Sequence, residues 1–374
     1  MRLVINTATL KKGGGIQAAV SFIKECIGFP DHDFHVFMSR DLLPQINTEA
    51  YPGNFRFYPM TYYPVSLRHR LKSVRHFKKL EKEIDPDCIF TVFGPSYWRP
   101  KAPHVMGFAL GWTINPDSVA YKVLSGKKRI LRKIKNSLLL LQAKQDADVF
   151  VGETEEVKRR LNKYGKIPLA RLRVVSNTAS HFFFQNQSGH FPIPGIHQFD
   201  YKLLTVSANY PHKNLGIIRR TAQVLSELDP EISYGFFLTI PDGDFDQLFG
   251  GNSKSIKNIG PVHLQYLPSI YKQCDAMLLP TLLESFSASY PEAMASDTPI
   301  LTSDLLFAHT ICEEAALYFD PFSPEEIAAR IKELAHKKEL QESLVEKGRE
   351  QLLKFNSPFE RTEKYLAICI ETLS

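Results

Sequence analysis

Short apolar runs recur along this chain in alternation with longer stretches of helical periodicity, and a second such series follows the first. In the first half the runs are Leu3-Val-Ile5, Phe34-His-Val-Phe37, Cys88-Ile-Phe-Thr-Val92, His104-Val-Met106 and Asp148-Val-Phe-Val151. Between them, residues 16–27, 67–83, 120–144 and 153–164 place apolar side chains at helical spacing. The second series starts at Tyr201, with runs at Leu203–Val206, Tyr234–Thr239, Ala276–Leu279 and Pro299–Leu301. From Ser323 the pattern turns helical: Pro324 follows a Ser N-cap, and two more helices reach the C-terminus. Runs that are apolar throughout suit strands covered on both faces, so the alternation predicts α/β architecture with doubly wound parallel sheets. A chain of 374 residues is long enough for two such domains. The Pro- and Gly-punctuated stretch around Phe191-Pro-Ile-Pro-Gly195 marks a linker. The expected division is 1–180, a linker at 181–200, a second domain at 201–357, and a terminal helix at 358–374.

Composition removes several function classes. No apolar run approaches the roughly 20 residues needed to cross a bilayer. Met1-Arg-Leu-Val-Ile-Asn6 reads as a strand and lacks a signal peptide's longer apolar region. The five cysteines are scattered without metal or disulfide spacing, which makes a reducing cytoplasm the expected location. Charge is divided sharply. Residues 1–180 carry 30 Lys and Arg against 15 Asp and Glu, whereas residues 181–374 carry 16 against 25. An anionic partner is therefore expected for the first half alone.

One stretch carries chemistry. In Glu284-Ser-Phe-Ser-Ala-Ser-Tyr-Pro-Glu292, a carboxylate stands at each end of a small, polar segment that follows the Ala276–Leu279 strand. Pro291 suits a helix start, which would put Glu292 in the first turn. Loop and helix N-terminal N–H groups suit phosphates, and ionised carboxylates accept from vicinal hydroxyls. Phosphates together with vicinal diols describe a nucleotide sugar. A second stretch, Ser207-Ala-Asn-Tyr-Pro-His-Lys213-Asn, follows the Leu203–Val206 strand and opens a helix, placing a compact cation where a phosphate would sit. A third, Gly13-Gly-Gly-Ile-Gln17, follows the first strand with Lys11 and Lys12 before it. It is not a dinucleotide fingerprint.

These segments resemble the retaining nucleotide-sugar glycosyltransferases of family 4, which have the GT-B fold of two Rossmann-like domains facing a central cleft. The resemblance runs in order from about Leu203 to Lys337, through Gly260–Tyr271, Asp275–Pro280, Glu313 and Ala316–Pro321. In the first half it rests on the glycine loop and on Ala147–Thr154 through Val174–Asn177. It implies an acceptor-side first domain, a donor-binding second domain, and a last helix that packs back on the first. It implies Lys213 on the donor diphosphate, Glu284 on sugar hydroxyls and Glu292 on the ribose. Ser285, Phe286, Ser287 and Ala288 would cradle sugar and phosphates, with Gly14 and Gly15 meeting them from the first domain. Glu284 and Lys213 would carry the catalytic roles. Three departures stand out: the family's Arg before the Lys is replaced at Ser207 and Ala208, its usual loop glycines are Ser285 and Ser287, and its sugar-contacting His falls at Ala109. His104 lies inside a strand and reads as a core residue. Asp242-Gly-Asp244 lies in a remote loop, so no essential metal and no cofactor beyond the sugar-nucleotide substrate is expected.

The basic segments Leu67–Lys79 and Lys127–Lys135 carry apolar residues at helical spacing among their cations, with Tyr62, Tyr63, Trp98 and Trp112 as candidate interfacial aromatics. They suit an anionic membrane surface and a glycan or polyprenyl-linked acceptor, with the protein peripheral at the inner face of the membrane. No nucleic-acid motif accompanies the charge. Two rival readings stay open: a nucleotide-sugar 2-epimerase of related fold, and a non-catalytic membrane-associated binder.

Overall fold

The computed structural model describes residues 1–11, 13–185, 189–251 and 253–373. Lys12, read above with the glycine loop, lies outside them, as do the side chain of Leu67 and residues 186–188 of the expected linker. The described residues form two compact units. The first holds residues 1–117, 125–177 and 356–374, and the second holds 118–124 and 178–355.

The first unit contains β1 (Arg2–Asn6), α1 (Gly14–Glu25), β2 (Asp33–Met38), β3 (Phe55–Pro59), α2 (Leu67–Ile84), β4 (Cys88–Thr91) and β5 (His104–Phe108). It continues through α3 (Gly111–Ile114), α4 (Gly126–Asp146), β6 (Val149–Gly152), α5 (Glu155–Lys163) and β7 (Leu172–Val174). Its strands pair in parallel in the order β3-β2-β1-β4-β5-β6-β7. β1, β2, β4 and β5 are buried almost end to end, which is why their sequences are apolar without alternation. His104 is fully buried in β5, where its ring bonds Thr91 Oγ1 at 2.8 Å and the Asp146 carbonyl at 2.6 Å. Burial pulls that imidazole down to about 4, so it is a neutral structural residue at physiological pH.

The second unit contains β8 (Tyr201–Thr205), α6 (Ile217–Leu228), β9 (Tyr234–Leu238), α7 (Asp242–Phe249), β10 (Ile256–Asn258), α8 (Leu267–Lys272) and β11 (Ala276–Leu279). It ends with α9 (Ser289–Ala295), β12 (Ile300–Ser303), α10 (Leu306–Cys312), β13 (Leu317–Phe319), α11 (Pro324–His336) and α12 (Lys338–Leu352). Its parallel sheet runs β10-β9-β8-β11-β12-β13. α13 (Pro358–Glu371) starts from a capping box in which Ser357 and Glu360 satisfy each other's backbone N–H groups. It belongs to the first unit, where Tyr365 packs edge-on against Phe22 and Arg361 donates to Ser21 Oγ at 2.8 Å.

Several elements differ from the sequence reading. β3, β7, β10 and β13 were not expected. The last three have three residues each, and β3, β7, β10 and β13 are the outermost strands of their sheets, so none needs a long apolar run. The helix expected over 120–144 is interrupted: a 3-10 turn at Val119–Val123 precedes α4, which starts only at Gly126. Residues 118–124 group with the second unit rather than the first, and residues 181–185 and 189–200 do so as well. Trp98, expected as an interfacial aromatic, is buried between Phe37 and Phe77.

Candidate functional site

The second sheet has its first strand in the middle. β8 pairs with β9 on one side and β11 on the other, so the connections leaving β8 and β11 diverge to opposite faces. Ligands of doubly wound sheets bind beyond the carboxyl ends of strands at such a reversal. Both loops singled out in the sequence leave from this place.

After β8 the chain passes Ser207 and Ala208 and enters a 3-10 turn, Pro211–Lys213, which Asn214 closes in the left-handed conformation at φ 55°. Lys213 therefore sits in a turn separate from α6, not in the first turn of an exposed helix. After β11 the chain crosses residues 280–288 before α9. The two loops are stitched together by His212, whose carbonyl accepts from Leu282 N at 2.7 Å and lies 3.2 Å from Thr281 Oγ1.

That stitching brings Lys213 and Glu284 together. Lys213 Nζ donates to Glu284 Oε1 at 2.6 Å, and Thr281 Oγ1 donates to the same oxygen at 2.8 Å. The two side chains are only 14% and 9% exposed. An ammonium has three donors and a carboxylate about four acceptor positions, so the pair keeps bonding capacity for a ligand. The loop beyond offers more. Phe286 and Ser287 are buried, Ala288 is half-buried, and among the described residues no protein acceptor is paired with the N–H groups of these three. Buried N–H groups normally have a partner, which makes this loop suited to an anion or a hydroxyl-rich group. Ser285 is half-buried beside them.

Glu292 lies differently. α9 starts at Ser289, two residues ahead of Pro291, and Glu292 is turned inward, only 2% exposed. The Tyr271 hydroxyl of α8 donates to its Oε2 at 3.2 Å. Burial pushes the carboxyl up to about 7, against the partial opposing effect of that hydrogen bond. Phe183 meets the Tyr271 ring edge-on, centroids 5.7 Å apart.

Gly14 and Gly15 open α1 in the first unit, behind Gly13 at φ 71°. Only glycine adopts that backbone freely. Asp242 accepts from Asn258 Nδ2 at 2.7 Å and stands at the start of α7. Among the described residues no group of three His, Cys, Asp or Glu side chains is gathered to hold a metal.

The sequence reading missed the 118–124 segment. Ser118 caps the 3-10 turn by accepting from Ala120 N at 3.1 Å, and its hydroxyl donates to the Leu282 carbonyl at 3.4 Å. The turn thereby lies against the loop that presents Glu284, and Lys122 Nζ stands 5.3 Å from the Phe322 ring. The signal available in sequence was Ser125-Gly126, a helix-start pair inside an apparently continuous helix, with the capping residue Ser118 just ahead of it.

Residues 249–351 match the family model of glycosyl transferases group 1. That stretch includes Glu284, Glu292 and the whole loop between them. A curated relative, the O-antigen chain mannosyltransferase RfbU of Salmonella typhimurium, is 26% identical over 137 residues, which is 35% of this chain and 37% of that protein. Among solved structures, sucrose-phosphate synthase from Thermosynechococcus elongatus aligns at 12% identity over 98% of both chains with a TM-score of 0.72. Anabaena HepE, solved with UDP and glucose, aligns at 13% over 98% of this chain and 99% of its own, at 0.71. WaaG, a glycosyltransferase involved in lipopolysaccharide biosynthesis, aligns at 14% over 99% of both chains, at 0.70. The fold is GT-B.

Proposed function

We propose that the chain is a family 4 glycosyltransferase that moves a sugar from a nucleotide diphosphate sugar to a glycan or polyprenyl-linked acceptor, with retention at the anomeric carbon. The observation that carries this reading is the Lys213–Glu284 pair at the strand-order reversal of the second sheet, beside unpaired backbone donors. The group 1 match over 249–351 supports transfer chemistry. The neighbour solved with UDP and glucose supports a nucleotide-sugar donor. The mannosyltransferase and lipopolysaccharide relatives support surface polysaccharide or glycolipid biosynthesis, and favour transfer over epimerisation or scaffolding.

In this reading Lys213 directs its remaining N–H donors at the diphosphate and stabilises it as it leaves. Glu284 turns its second oxygen to a sugar hydroxyl, and the N–H groups of Phe286, Ser287 and Ala288 hold sugar and phosphate oxygens, with the Ser285 and Ser287 hydroxyls beside them. Retention needs no separate base: as the bond from C1 to the diphosphate breaks, the acceptor oxygen bonds C1 on the same face and its proton passes to the departing phosphate oxygen, while the protein stabilises charge on the diphosphate and the oxocarbenium-like ring. Glu292 takes the ribose hydroxyls once its carboxyl is drawn out from Tyr271. No metal enters this reading, because a Lys and backbone donors supply the diphosphate's countercharge.

A thermal-shift screen over nucleoside diphosphates and their sugars tests it. A ligand at about 100 times its Kd adds about 2.7 kcal/mol of stability. Radiolabelled transfer to a lipid-linked acceptor, dependent on that acceptor, separates the transferase from an epimerase. A chain stabilised by no member of the panel is not a sugar-nucleotide enzyme.

A further inference from the structure

Helix α4 is attached to the first unit the wrong way round for a water-soluble helix. Its buried residues are Asn136, Ala143 and Asp146, with Leu139 and Leu140 half-buried. Asn136 Nδ2 donates to the Trp112 carbonyl at 2.9 Å, and the Asp146 carboxylate accepts from Tyr97 N at 2.8 Å. Meanwhile Ile130, Leu131, Ile134, Leu138 and Leu141 are each between 53% and 66% exposed. At 3.6 residues per turn these five fall within an arc of about 100°. Lys133 and Lys144 border one side of that arc, and Lys128 and Lys135 the other. Amphipathic helices of soluble domains bury such a stripe.

α2 shows the ordinary arrangement. Phe77, Leu80 and Ile84 are buried, Phe77 stacks on Phe37 at 5.8 Å, and of its described apolar residues only Leu71 stands fully exposed. The basic segment 67–79 is therefore a core helix with a cationic outer face, and of these two basic helices α4 is the one that exposes its apolar face.

We propose that α4 is a membrane-contact helix that lies in the interface of an anionic bilayer, with Ile130, Leu131, Ile134, Leu138 and Leu141 inserted. Charge decides the occupant. Residues 127–144 contain seven Lys and Arg and no Asp or Glu. The aliphatic arc enters the acyl boundary while the bordering lysines extend their stems along it and keep their ammonium groups at the lipid phosphates. A second copy of the chain pairing through α4 would set these cations against their own kind. No helix among the described residues is long and apolar enough to cross a membrane, so the contact is with the surface. This inference does not depend on the sugar-transfer reading, and its test contains no donor.

The probe is sedimentation with vesicles of phosphatidylglycerol and phosphatidylcholine, beside vesicles of phosphatidylcholine alone. The full chain binds the anionic vesicles at least tenfold more tightly, and added salt weakens that binding. Ile134→Ser with Leu138→Ser lowers the partition at least tenfold while circular dichroism and melting temperature stay at wild-type values. All five native cysteines are buried, so a Leu138→Cys variant takes an environment-sensitive fluorophore at one site. Its emission shifts to the blue on anionic vesicles, whereas the same label on Lys79→Cys in α2 does not respond. Three results overturn the proposal: no vesicle binding by the wild type, wild-type binding by the folded double variant, or a lipid-free dimer that the double variant converts to monomer.

Discussion

The two carboxylates that frame the 284–292 segment lie in opposite environments. Glu284 sits at a loop mouth, charge-matched by Lys213 and bonded by Thr281, with acceptor capacity to spare. Glu292 faces inward, has the Tyr271 hydroxyl as its partner, and is pushed toward its neutral form. The same residue type eight positions apart thus supplies an ion-paired carboxylate at one end and a carboxyl of adjustable protonation at the other. The difference comes from which side of the β11–α9 connection each projects, which no count of spacing conveys.

The largest effect should come from breaking the charged end. Lys213→Met is expected to cost roughly 2–5 kcal/mol of donor or transition-state binding, a loss of about 30-fold to several thousand-fold in kcat/KM. It should also lower the melting temperature, because Glu284 is left nearly buried without its cation. Adding Glu284→Gln should restore most of the stability and none of the transfer. A double variant as unstable as Lys213→Met alone would mean that the pair is not what destabilises it. Steady-state rates and denaturant melts of the wild type and the two variants check this.

The inward end is broken by pH. A carboxyl with a folded value near 7 and an ordinary value of 4.5 gives stability that is fully present below about 4.5 and lost as pH rises through about 7. Glu292→Gln cannot ionise, so it should be more stable than the wild type above pH 7, by on the order of 3 kcal/mol at most, and about equal to it near pH 4.5. The gap between the two melting curves, followed across that window, reports the burial of this carboxyl. A gap of opposite sign would mean that Glu292 is held ionised.

Tyr271→Phe sharpens the same end with a smaller change. Losing one hydrogen bond costs roughly 0.5–1.5 kcal/mol and should move the pH window of Glu292 upward, since the bond favours the ionised form. Smallest of all is Ser118→Ala. Its 3.4 Å contact with the Leu282 carbonyl is long, so an effect below about 1 kcal/mol is expected, seen more in KM for the donor than in melting temperature.

Much of the fold was legible because buried parallel strands cannot hide: Leu3–Ile5 is wholly apolar, and Cys88–Val92 and Leu203–Val206 are each interrupted by a single Thr. The outermost strands were not legible, since three-residue pairings such as Ile256–Asn258 need no pattern of their own. At the site, both loops could be found because each follows a central strand. Their meeting could not be. Lys213 and Glu284 are 71 positions apart, and only the β8–β11 pairing and the His212 carbonyl bring them into contact. The inward turn of Glu292 was equally hidden, because a carboxylate in a helix's first turn is ordinarily a solvated one. The basic helices were found as a class, but periodicity alone could not say that α2 buries its stripe and α4 exposes its own.

The claim that everything else leans on is that Lys213 and Glu284 form a nucleotide diphosphate-sugar site. Titration calorimetry with the nucleoside diphosphate that most stabilises the wild type, repeated on the folded Lys213→Met/Glu284→Gln variant, tests it most directly. The account predicts at least a tenfold weaker affinity in the double variant, with the fold intact. Equal affinity in the two proteins would contradict it.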